Sequence, residues 1–400
     1  MRRTHPAYAA IMAGGIGERF WPISSPDRPK QLLPLAGNHR TLLQATADRL
    51  AGLIDPEYRF IVTSEALRPV IARHGVQVPP EQVLAEPAKR STLGAILYAT
   101  AAILRRSGAD PDDVTMAVLP ADHYIGDDGA FRRTAASALA AAREHDALVV
   151  VGIQPDRPET GYGYIEVDGT LEPDSSCADA RRVLSFREKP DRTTARGFLK
   201  EGRFLWNAGM FFWRVGTFLD QLAQAAPHVH RMARRLISAM AHGDAAAVRR
   251  HFCELPDVSI DYALMERAPS VLVVRAQFPW DDLGSWDAYA RINESDGNGN
   301  VVTSGATIRD SRRCVVYNDL EQRGIEVTLL GVEDLVVAAG PAGILVMPVQ
   351  RAQEVRTVAR RSGAIVPRGG AGPRPANEGE GSARTIAHDS QPRAGAGLGE

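Results

Sequence analysis

Two cations lie beside a glycine-rich stretch near the start of the chain. The stretch Gly14-Gly15-Ile16-Gly17 follows a short apolar run, and Arg19 and Lys30 come after it. Glycine allows positive φ angles and close approach of a ligand, and successive N–H groups in such a loop can form an anion-binding concavity. Two fixed positive charges beside this concavity suit a polyphosphate. Residues 14–19, the glycine-rich loop, are therefore predicted to bind phosphate directly after a buried strand.

Two better-known phosphate-binding motifs do not fit this loop. A Walker A motif needs Lys-Ser or Lys-Thr after its last glycine, and here Glu18 and Arg19 follow Gly17. A dinucleotide-binding fingerprint needs a third glycine at the position that Phe20 occupies. The loop is therefore predicted to hold phosphate in a different way.

The elements that must position these residues alternate along the first part of the chain. Helical patterns such as Thr41–Leu53 and Ser91–Arg106 alternate with short apolar strands such as Phe60–Thr63 and Thr115–Leu119. This alternation predicts a mostly parallel sheet with helices on both faces. Ligands bind outside the carboxyl ends of strands in such sheets, so residues that directly follow strands are candidates for chemistry.

Two groups of polar residues follow predicted strands. Glu86, Arg90 and Thr92 come after a strand that ends near Leu84, and Asp122 follows the strand that ends at Leu119. A carboxylate at the end of a strand, above a phosphate-binding loop, can hold Mg²⁺, because this hard cation prefers oxygen ligands and substrate phosphates. Asp122 is therefore a candidate magnesium ligand.

Composition limits the class of protein. The 400 residues, 44% hydrophobic and 24% charged, are typical of an ordinary protein of two or three domains. The net charge of −1 gives no footprint for nucleic acid or an anionic membrane, and no segment has the roughly 18 apolar residues of a spanning helix. The three cysteines lie too far apart for a metal or disulfide pattern. We expect a soluble, cytoplasmic protein without a nucleic-acid or membrane partner.

Several motifs follow one another in the order of a known family. They are GGIGER with the following WP and PKQLLPL (14–35), EPAKRST (86–92), LPADH (119–123), GYGYIE (161–166), REKP (187–190), WNAGM (206–210), SIDYALME (259–266) and WDDLGSW (280–286). This series resembles the sugar-1-phosphate nucleotidylyltransferases. The Phe20-Trp21-Pro22 and Lys30-Gln31-Leu32 forms are most similar to the mannose-1-phosphate guanylyltransferases of that family.

The resemblance implies a role for particular residues. Catalytic roles fall on Arg19, Lys30, Asp122 and Lys189, and Asp122 and Asp282 are implied to bind Mg²⁺. The implied nucleotide-binding residues are Ala13, Gly14, Gly15, Gly17, Glu86, Arg90 and Thr92. The implied sugar-phosphate-binding residues are Gly161, Tyr162, Gly163, Glu166, Glu188, Lys189, Asn207 and Gly209.

The resemblance also implies a domain arrangement. It predicts an α/β catalytic domain over residues 1–292, with a Rossmann-like, mixed, mostly parallel sheet of the nucleotidyltransferase (GT-A) type. A small β-rich, β-helix-like domain over residues 293–366 is predicted to end in a helix, and such a domain often supports a homodimer. Residues 367–400 contain almost no large apolar side chains, which predicts a disordered tail.

The implied reaction is transfer of GMP from GTP to mannose 1-phosphate, with Mg²⁺, to give GDP-mannose and pyrophosphate. Two alternatives remain open. The first is the same transfer with another sugar 1-phosphate or nucleoside triphosphate. The second is a catalytically silent paralogue that binds a nucleotide sugar and regulates a partner, although Arg19, Lys30, Asp122, Lys189 and Asp282 are all present.

Overall fold

The structure, a computed structural model, describes residues 6–37, 39–169, 180–303 and 305–361. The strands are β1 Ala7–Met12, β2 Arg59–Ser64, β3 Val83–Glu86, β4 Thr115–Pro120, β5 Tyr124–Ile125, β6 Leu148–Ile153, β7 Gly163–Val167, β8 Arg181–Glu188, β9 Phe204–Arg214, β10 Val271–Arg275, β11 Trp280–Asp281, β12 Val301–Val302, β13 Ala306–Arg309, β14 Val315–Asn318, β15 Val327–Leu330, β16 Leu335–Gly340 and β17 Gly343–Pro348. The α-helices are α1 Leu42–Arg49, α2 Arg68–Ala72, α3 Ser91–Ser107, α4 Asp128–Glu144, α5 Arg192–Glu201, α6 Val215–Ala225, α7 Pro227–Ala241, α8 Ala245–Glu254, α9 Trp286–Ile292 and α10 Val355–Arg361. A π-helical turn spans Asp261–Met265, and 3₁₀ turns that concern the site span Glu18–Phe20, Lys30–Leu32 and Val349–Glu354.

The largest sheet confirms the predicted α/β fold. Its strand order is β3-β2-β1-β4-β9-β6-β10-β8-β7. Neighbours are parallel from β3 to β4 and between β6 and β10, whereas β8 and β9 run antiparallel to each of their partners. Seven of the nine strands therefore run in one direction, which makes the sheet mixed and mostly parallel.

Alternating strand residues bury both faces of this sheet. Tyr8 and Val118 point to a core that includes α3 and α6–α8, whereas Ile11 and Leu119 point to a core that includes α1 and α4. Successive side chains of a strand point to opposite faces, so a strand covered on both sides reads as a continuous apolar run. This explains why the apolar strands were recognisable in the sequence.

Residues 293–361, called the C-terminal part, form short parallel ladders. One sheet has the order β12-β14-β16-β17, in which β16 and β17 are antiparallel, and a second pairs β13 with β15 in parallel. A small core around Cys314, Val316 and Leu329 lies within it. The β-rich, β-helix-like prediction is thereby confirmed, and the predicted last helix is the 3₁₀ turn Val349–Glu354 continued by α10. The predicted tail, 367–400, lies outside the described residues.

The C-terminal part shares a core with the segment after the glycine-rich loop. Phe20 and Leu33 are fully buried in one cluster with Trp286 of α9 and with Tyr317 and Met347 of the C-terminal part. Because this core crosses position 292, the domain boundary there stays a prediction. Among the described helices, none is long and apolar enough to cross a membrane, and the cytoplasmic location also stays a prediction.

Candidate active site

The glycine-rich loop leaves the carboxyl end of β1 and folds against the 3₁₀ turn that begins at Lys30. Gly17 has φ +74°, and a Cβ atom there would lie 2.2 Å from the Lys30 Cβ, so only glycine fits. Lys30 N donates to Ile16 O at 3.1 Å, and Gln31 Nε2 donates to Ala13 O at 2.9 Å. These hydrogen bonds and the packing of Gly17 against Lys30 therefore hold the glycine-rich loop against the turn that begins at Lys30.

Lys30 connects the two candidate metal ligands. Its ammonium group donates to Asp122 Oδ2 at 2.9 Å and to the backbone carbonyl of Asp282 at 2.6 Å. Its side chain is only 6% exposed. Burial raises the pKa of the Asp122 carboxyl, but the charges of Lys30 and His123 and the Lys30 hydrogen bond lower it more, so this carboxylate is ionised at neutral pH.

A two-stranded ladder brings Asp122 and Asp282 to the same place. Strand β5 follows Asp122, β11 precedes Asp282, and the two strands pair antiparallel, with Trp280 opposite Ile125. Asp282 Oδ1 accepts hydrogen bonds from Tyr162 Oη at 2.8 Å and from Gly284 N at 3.0 Å. The pairing of two strands of two residues each therefore brings together two aspartates that lie far apart in the sequence.

Asp281 and Asp282 have different environments. The buried Asp281 Oδ2 accepts from the Arg291 guanidinium at 3.0 Å and pairs with Arg157 at 3.4 Å. Asp282 instead lines a cavity. This is the position expected if Asp282 is the metal ligand and Asp281 has a structural role.

A cavity of about 500 Å³ lies at the carboxyl ends of β1, β3 and β4. Fourteen of the predicted site residues line it, namely Ala13, Gly14, Gly15, Glu86, Arg90, Thr92, Asp122, Gly161, Tyr162, Gly163, Glu188, Asn207, Gly209 and Asp282. Nucleotide candidates cluster near β1 and β3, and sugar-phosphate candidates cluster near β7, β8 and β9. The motifs, scattered from residue 13 to residue 282, therefore surround one space.

Five predicted residues do not line this cavity, for different reasons. Gly17 packs against Lys30, which itself lies behind Asp122. Arg19 Nη1 donates to Gly284 O at 3.3 Å, between the glycine-rich loop and the Asp282 loop. The other two residues are Glu166 and Lys189.

Glu166 and Lys189 depart from the expected positions. Glu166 accepts from Ser185 Oγ at 2.7 Å and pairs with Arg203 at 2.9 Å, so its carboxylate is engaged within the sheet and away from the cavity. This position disagrees with the sugar-phosphate-binding role that the resemblance implied for Glu166. Lys189 lies at the rim, 58% exposed, with its ammonium group 2.5 Å from Glu188 Oε1.

Two carboxyl groups in the cavity have raised pKa values. Burial raises the pKa of Glu86, whose Oε2 lies beside Gly14, to about 7. Burial, and then the charge of Glu188, raise the pKa of Asp261 to about 6. Asp261 Oδ1 accepts from Asn207 Nδ2 at 3.0 Å, at the end of the cavity formed by sugar-phosphate candidates.

Asp261, His123 and Trp280 also line the cavity but were not predicted as site residues. Trp280 Nε1 donates to His123 Nδ1 at 3.3 Å, which braces the loop that carries Asp122. Each lies within a motif that was recognised, at a position whose side-chain direction only the folded backbone fixes. Their presence in those motifs was the available signal.

Known families match nearly all of the described chain. The nucleotidyl transferase family matches residues 8–299, and the MannoseP isomerase/GMP-like beta-helix domain matches residues 306–361. Together with the sheet and the cavity, these matches define a nucleotidyltransferase with a C-terminal β-helix domain.

Relatives define the family more closely. A mannose-1-phosphate guanylyltransferase of Escherichia coli is 36% identical over 350 residues, covering 86% of this chain and 72% of that protein. A mannose-1-phosphate guanylyltransferase of Klebsiella pneumoniae is 36% identical over 356 residues, with the same coverage. The crystal structure described as mannose-1-phosphate geranyltransferase from Thermus thermophilus has a TM-score of 0.78 and 37% identity, covering 90% of this chain and 100% of that one. The chain belongs to the mannose-1-phosphate guanylyltransferase family.

Proposed function

We propose that this nucleotidyltransferase transfers GMP from GTP to mannose 1-phosphate and releases pyrophosphate. The names of the relatives supply the substrates. The observation that carries the proposal is the convergence on Lys30, whose ammonium group contacts both Asp122 and Asp282 at the edge of a cavity large enough for a nucleotide. Charged residues from three distant motifs meet where a triphosphate needs them.

The nucleotide is proposed to occupy the end of the cavity near β1 and β3. Gly14 and Gly15 present backbone without side chains, and a Cβ at Gly15 would meet no atom within 4 Å, so the space above it is open for phosphates. Glu86, Arg90 and Thr92 line the same end. Arg19 and Lys30 are proposed to stabilise the β- and γ-phosphates and the pyrophosphate that leaves.

The donor atoms at Asp122 and Asp282 fit Mg²⁺. Magnesium is usually held by one or two carboxylates together with substrate phosphates, and both aspartates line the cavity. When bound there, the ion would supply charge neutralisation for the phosphates of the nucleotide. The hydrogen bonds from Tyr162 and Gly284 orient the Asp282 carboxylate for this role.

Mannose 1-phosphate is proposed to bind at the other end of the cavity. Gly163 leaves room for the Glu188 carboxylate, since a Cβ there would lie 2.6 Å from Glu188 Oε2, and Glu188, Asn207 and the backbone near Gly161 and Gly209 offer hydrogen-bonding groups. Lys189 at the rim is proposed to bind the sugar phosphate, which requires its ammonium group to leave Glu188 Oε1.

The chain needs no general base for this chemistry. A phosphate monoester is largely dianionic near neutral pH because its second pKa is about 6. The work of the protein is to hold two mutually repelling anions in line and to stabilise charge on the departing pyrophosphate. Lys30, fixed behind Asp122 by two hydrogen bonds, adds positive charge there without reorganisation during the reaction.

The proposal is tested by pyrophosphate release from purified protein with Mg²⁺, GTP and mannose 1-phosphate. Parallel reactions replace GTP by ATP, UTP or dTTP, and replace the sugar by glucose 1-phosphate. We expect release above background only with GTP and mannose 1-phosphate. Release with a different pair would keep the reaction class and replace the substrates, and binding without release would favour the regulatory alternative.

A homodimer formed through the C-terminal part is proposed as well. Leu330 of β15 and Ile344 and Val346 of β17 are 60–66% exposed, and β17 lies at the edge of its sheet. Exposed apolar side chains on an edge strand favour pairing with another chain. Light scattering should give about twice the 43.3 kDa mass of the chain, and V346K should shift it to the monomer.

A further inference from the structure

Helix α10 contacts the glycine-rich loop through two arginines. Arg356 Nε donates to Glu18 Oε2 at 2.8 Å, and Arg360 donates to the same carboxylate from Nε at 3.1 Å and from Nη2 at 3.3 Å. Residues four apart lie on one face of a helix, so both arginines reach Glu18 together. Glu18 stands between Gly17 and Arg19, so these ion pairs act on the loop itself.

Apolar contacts support the same docking. Val355 and Ala359 of α10 are 1% and 0% exposed, and they lie in one buried cluster with Phe20, which is also fully buried. Glu18 and Phe20 belong to a single 3₁₀ turn. One turn of the loop is therefore held on its polar side by two arginines and on its apolar side by the buried face of α10.

A residue just before α10 contacts the loop that carries Asp282. Gln353 Nε2 donates to Ser285 Oγ at 2.8 Å. The preceding residue, Gly284, accepts from Arg19 at its carbonyl and donates to Asp282 Oδ1 from its amide. The end of the C-terminal part therefore touches both the loop that carries Arg19 and the loop that carries Asp282.

Arg356 and Arg360 compensate the negative charge of Glu18. Partial burial raises the pKa of the Glu18 carboxyl, but hydrogen bonds from Arg360 and Arg356 lower it more, so the group is ionised at neutral pH. An uncompensated carboxylate next to Arg19 would repel phosphates and attract the Arg19 guanidinium. Arg356 and Arg360 supply the compensating charge from outside the loop.

We propose that α10 is a positioning element for nucleoside triphosphate binding. Arg356 and Arg360 hold and neutralise Glu18, so that Arg19 and the loop backbone are free to engage phosphates. This inference rests on the proposed nucleotidyl transfer and adds a role for the C-terminal part. That part contributes to nucleotide affinity through Arg356, Arg360 and Gln353, which lie outside the cavity.

The test compares binding of the two substrates in full-length protein. The double variant Arg356→Gln/Arg360→Gln should raise the Kd for GTP with Mg²⁺, by titration calorimetry, about 5- to 30-fold, the scale of two exposed ion pairs together with the repulsion they relieve. The KM for mannose 1-phosphate should change less than 2-fold. The double variant with lysine at both positions keeps the charges and should return the Kd to within about 3-fold of wild type.

A charge cycle makes the test specific. In Glu18→Gln no carboxylate remains to be neutralised, so adding Arg356→Gln/Arg360→Gln should change the Kd for GTP less than 2-fold further. Arg351→Gln is the matched control, because Arg351 lies in the same segment and pairs with Glu354, and it should leave the Kd unchanged.

Two results would overturn the inference. One is an unchanged Kd for GTP in the folded double variant, and the other is an equal loss for GTP and mannose 1-phosphate. Failure of the proposed function is distinguishable, because wild-type protein would then neither bind nor turn over GTP. In that event the same cycle is measured with the nucleotide that wild type does bind.

Discussion

The proposed nucleotide end and the proposed sugar end of the cavity hold their lysines in different ways. Lys30 is 6% exposed and bonds to Asp122 and to the Asp282 carbonyl, 92 and 252 positions away. Lys189 is 58% exposed, and its ammonium group bonds to its neighbour in sequence, Glu188. The first lysine is fixed by tertiary structure, whereas the second is held by one local contact.

Charge is therefore preorganised at Lys30 and adjustable at Lys189. A buried cation with fixed partners keeps its geometry when the reaction begins, which is where electrostatic stabilisation is most effective. An exposed lysine keeps rotamer freedom and loses entropy only when its ligand arrives. We therefore expect substitutions at the nucleotide end to lower kcat, and substitutions at the sugar end to raise the KM of one substrate.

The largest expected effect is that of Asp122→Ala. Removing this carboxylate leaves the buried Lys30 ammonium without its ion-pair partner and removes a proposed metal ligand. We expect kcat to fall about 10²- to 10³-fold, the scale of losing a transition-state stabiliser. In Arg19→Ala we expect kcat to fall by a factor in the same range. Pyrophosphate release at saturating substrates measures it.

The matched control is Asp113→Ala. Asp113 is exposed and precedes β4, whereas Asp122 follows the carboxyl end of the same strand. Its loss should leave kcat within about 2-fold of wild type. Near-normal turnover in Asp122→Ala would remove the basis for a preorganised nucleotide end.

The next effect concerns the pH dependence of stability at Glu86. Burial raises the pKa of this carboxyl from 4.5 to about 7 in the folded protein, so between these values the folded state binds more protons than the unfolded state. The free energy of unfolding should therefore fall as pH rises from about 4.5 to 7, by on the order of 2 kcal/mol.

Urea unfolding of ligand-free protein at pH 5, 6, 7 and 8 measures this dependence. Glu86→Gln removes the titrating group and should flatten the fall by the same amount. Parallel curves for wild type and Glu86→Gln would show that the carboxyl is not buried, and the cavity near β3 would then be more open than the structure describes.

A smaller effect is expected from Lys189→Ala. Loss of one exposed charge-assisted contact should raise the KM for mannose 1-phosphate about 10-fold, with the Kd for GTP changed less than 2-fold. Steady-state kinetics and GTP titration measure the two quantities. Lys200→Ala, at the end of α5, is an exposed control in the same region. Equal losses for both substrates would mean that Lys189 supports the fold of the rim and does not bind the sugar phosphate.

Most of the predicted site residues line one cavity because their motifs follow strands. The carboxyl ends of β1, β3 and β4 meet at one edge of the sheet, which brings Gly14, Glu86 and Asp122 to one cavity. Glu166 failed the same reasoning. It lies within β7, three residues beyond Gly163, where the lining of the cavity by this motif ends, and its carboxylate meets Ser185 and Arg203.

The short elements were beyond prediction for a different reason. Strands β5 and β11 have two residues each and carry no periodic signal, yet their pairing is what joins Asp122 to Asp282. In the C-terminal part, β13 has only four residues that alternate between partly buried and exposed, and β17 exposes Ile344 and Val346 although its sequence is apolar. The shared core around Phe20 and Trp286 depends on contacts between remote segments, which no local pattern records.

The smallest effect is expected from Tyr162→Phe, which tests how far the proposed nucleotide end is preorganised. Tyr162 Oη donates to Asp282 Oδ1 at 2.8 Å, and burial and the Asp282 charge raise the pKa of the phenol, so it stays a donor across the neutral range. The Gly284 amide bond to Asp282 remains in the variant. We therefore expect the Mg²⁺ concentration for half-maximal GTP binding to rise only about 3- to 5-fold, less than is usual for a residue behind a metal ligand.

Tyr164→Phe is the control for the Tyr162 variant, because the Tyr164 hydroxyl is also buried near the site but donates to Glu159 O at 2.9 Å. It should leave the Mg²⁺ requirement unchanged, as measured by calorimetric titration of GTP at a series of Mg²⁺ concentrations. If the two variants shift the requirement equally, the Tyr162 bond does not orient Asp282. Preorganisation of the nucleotide end would then come from Lys30 and Gly284 alone, and Tyr162 would belong to the adjustable sugar end.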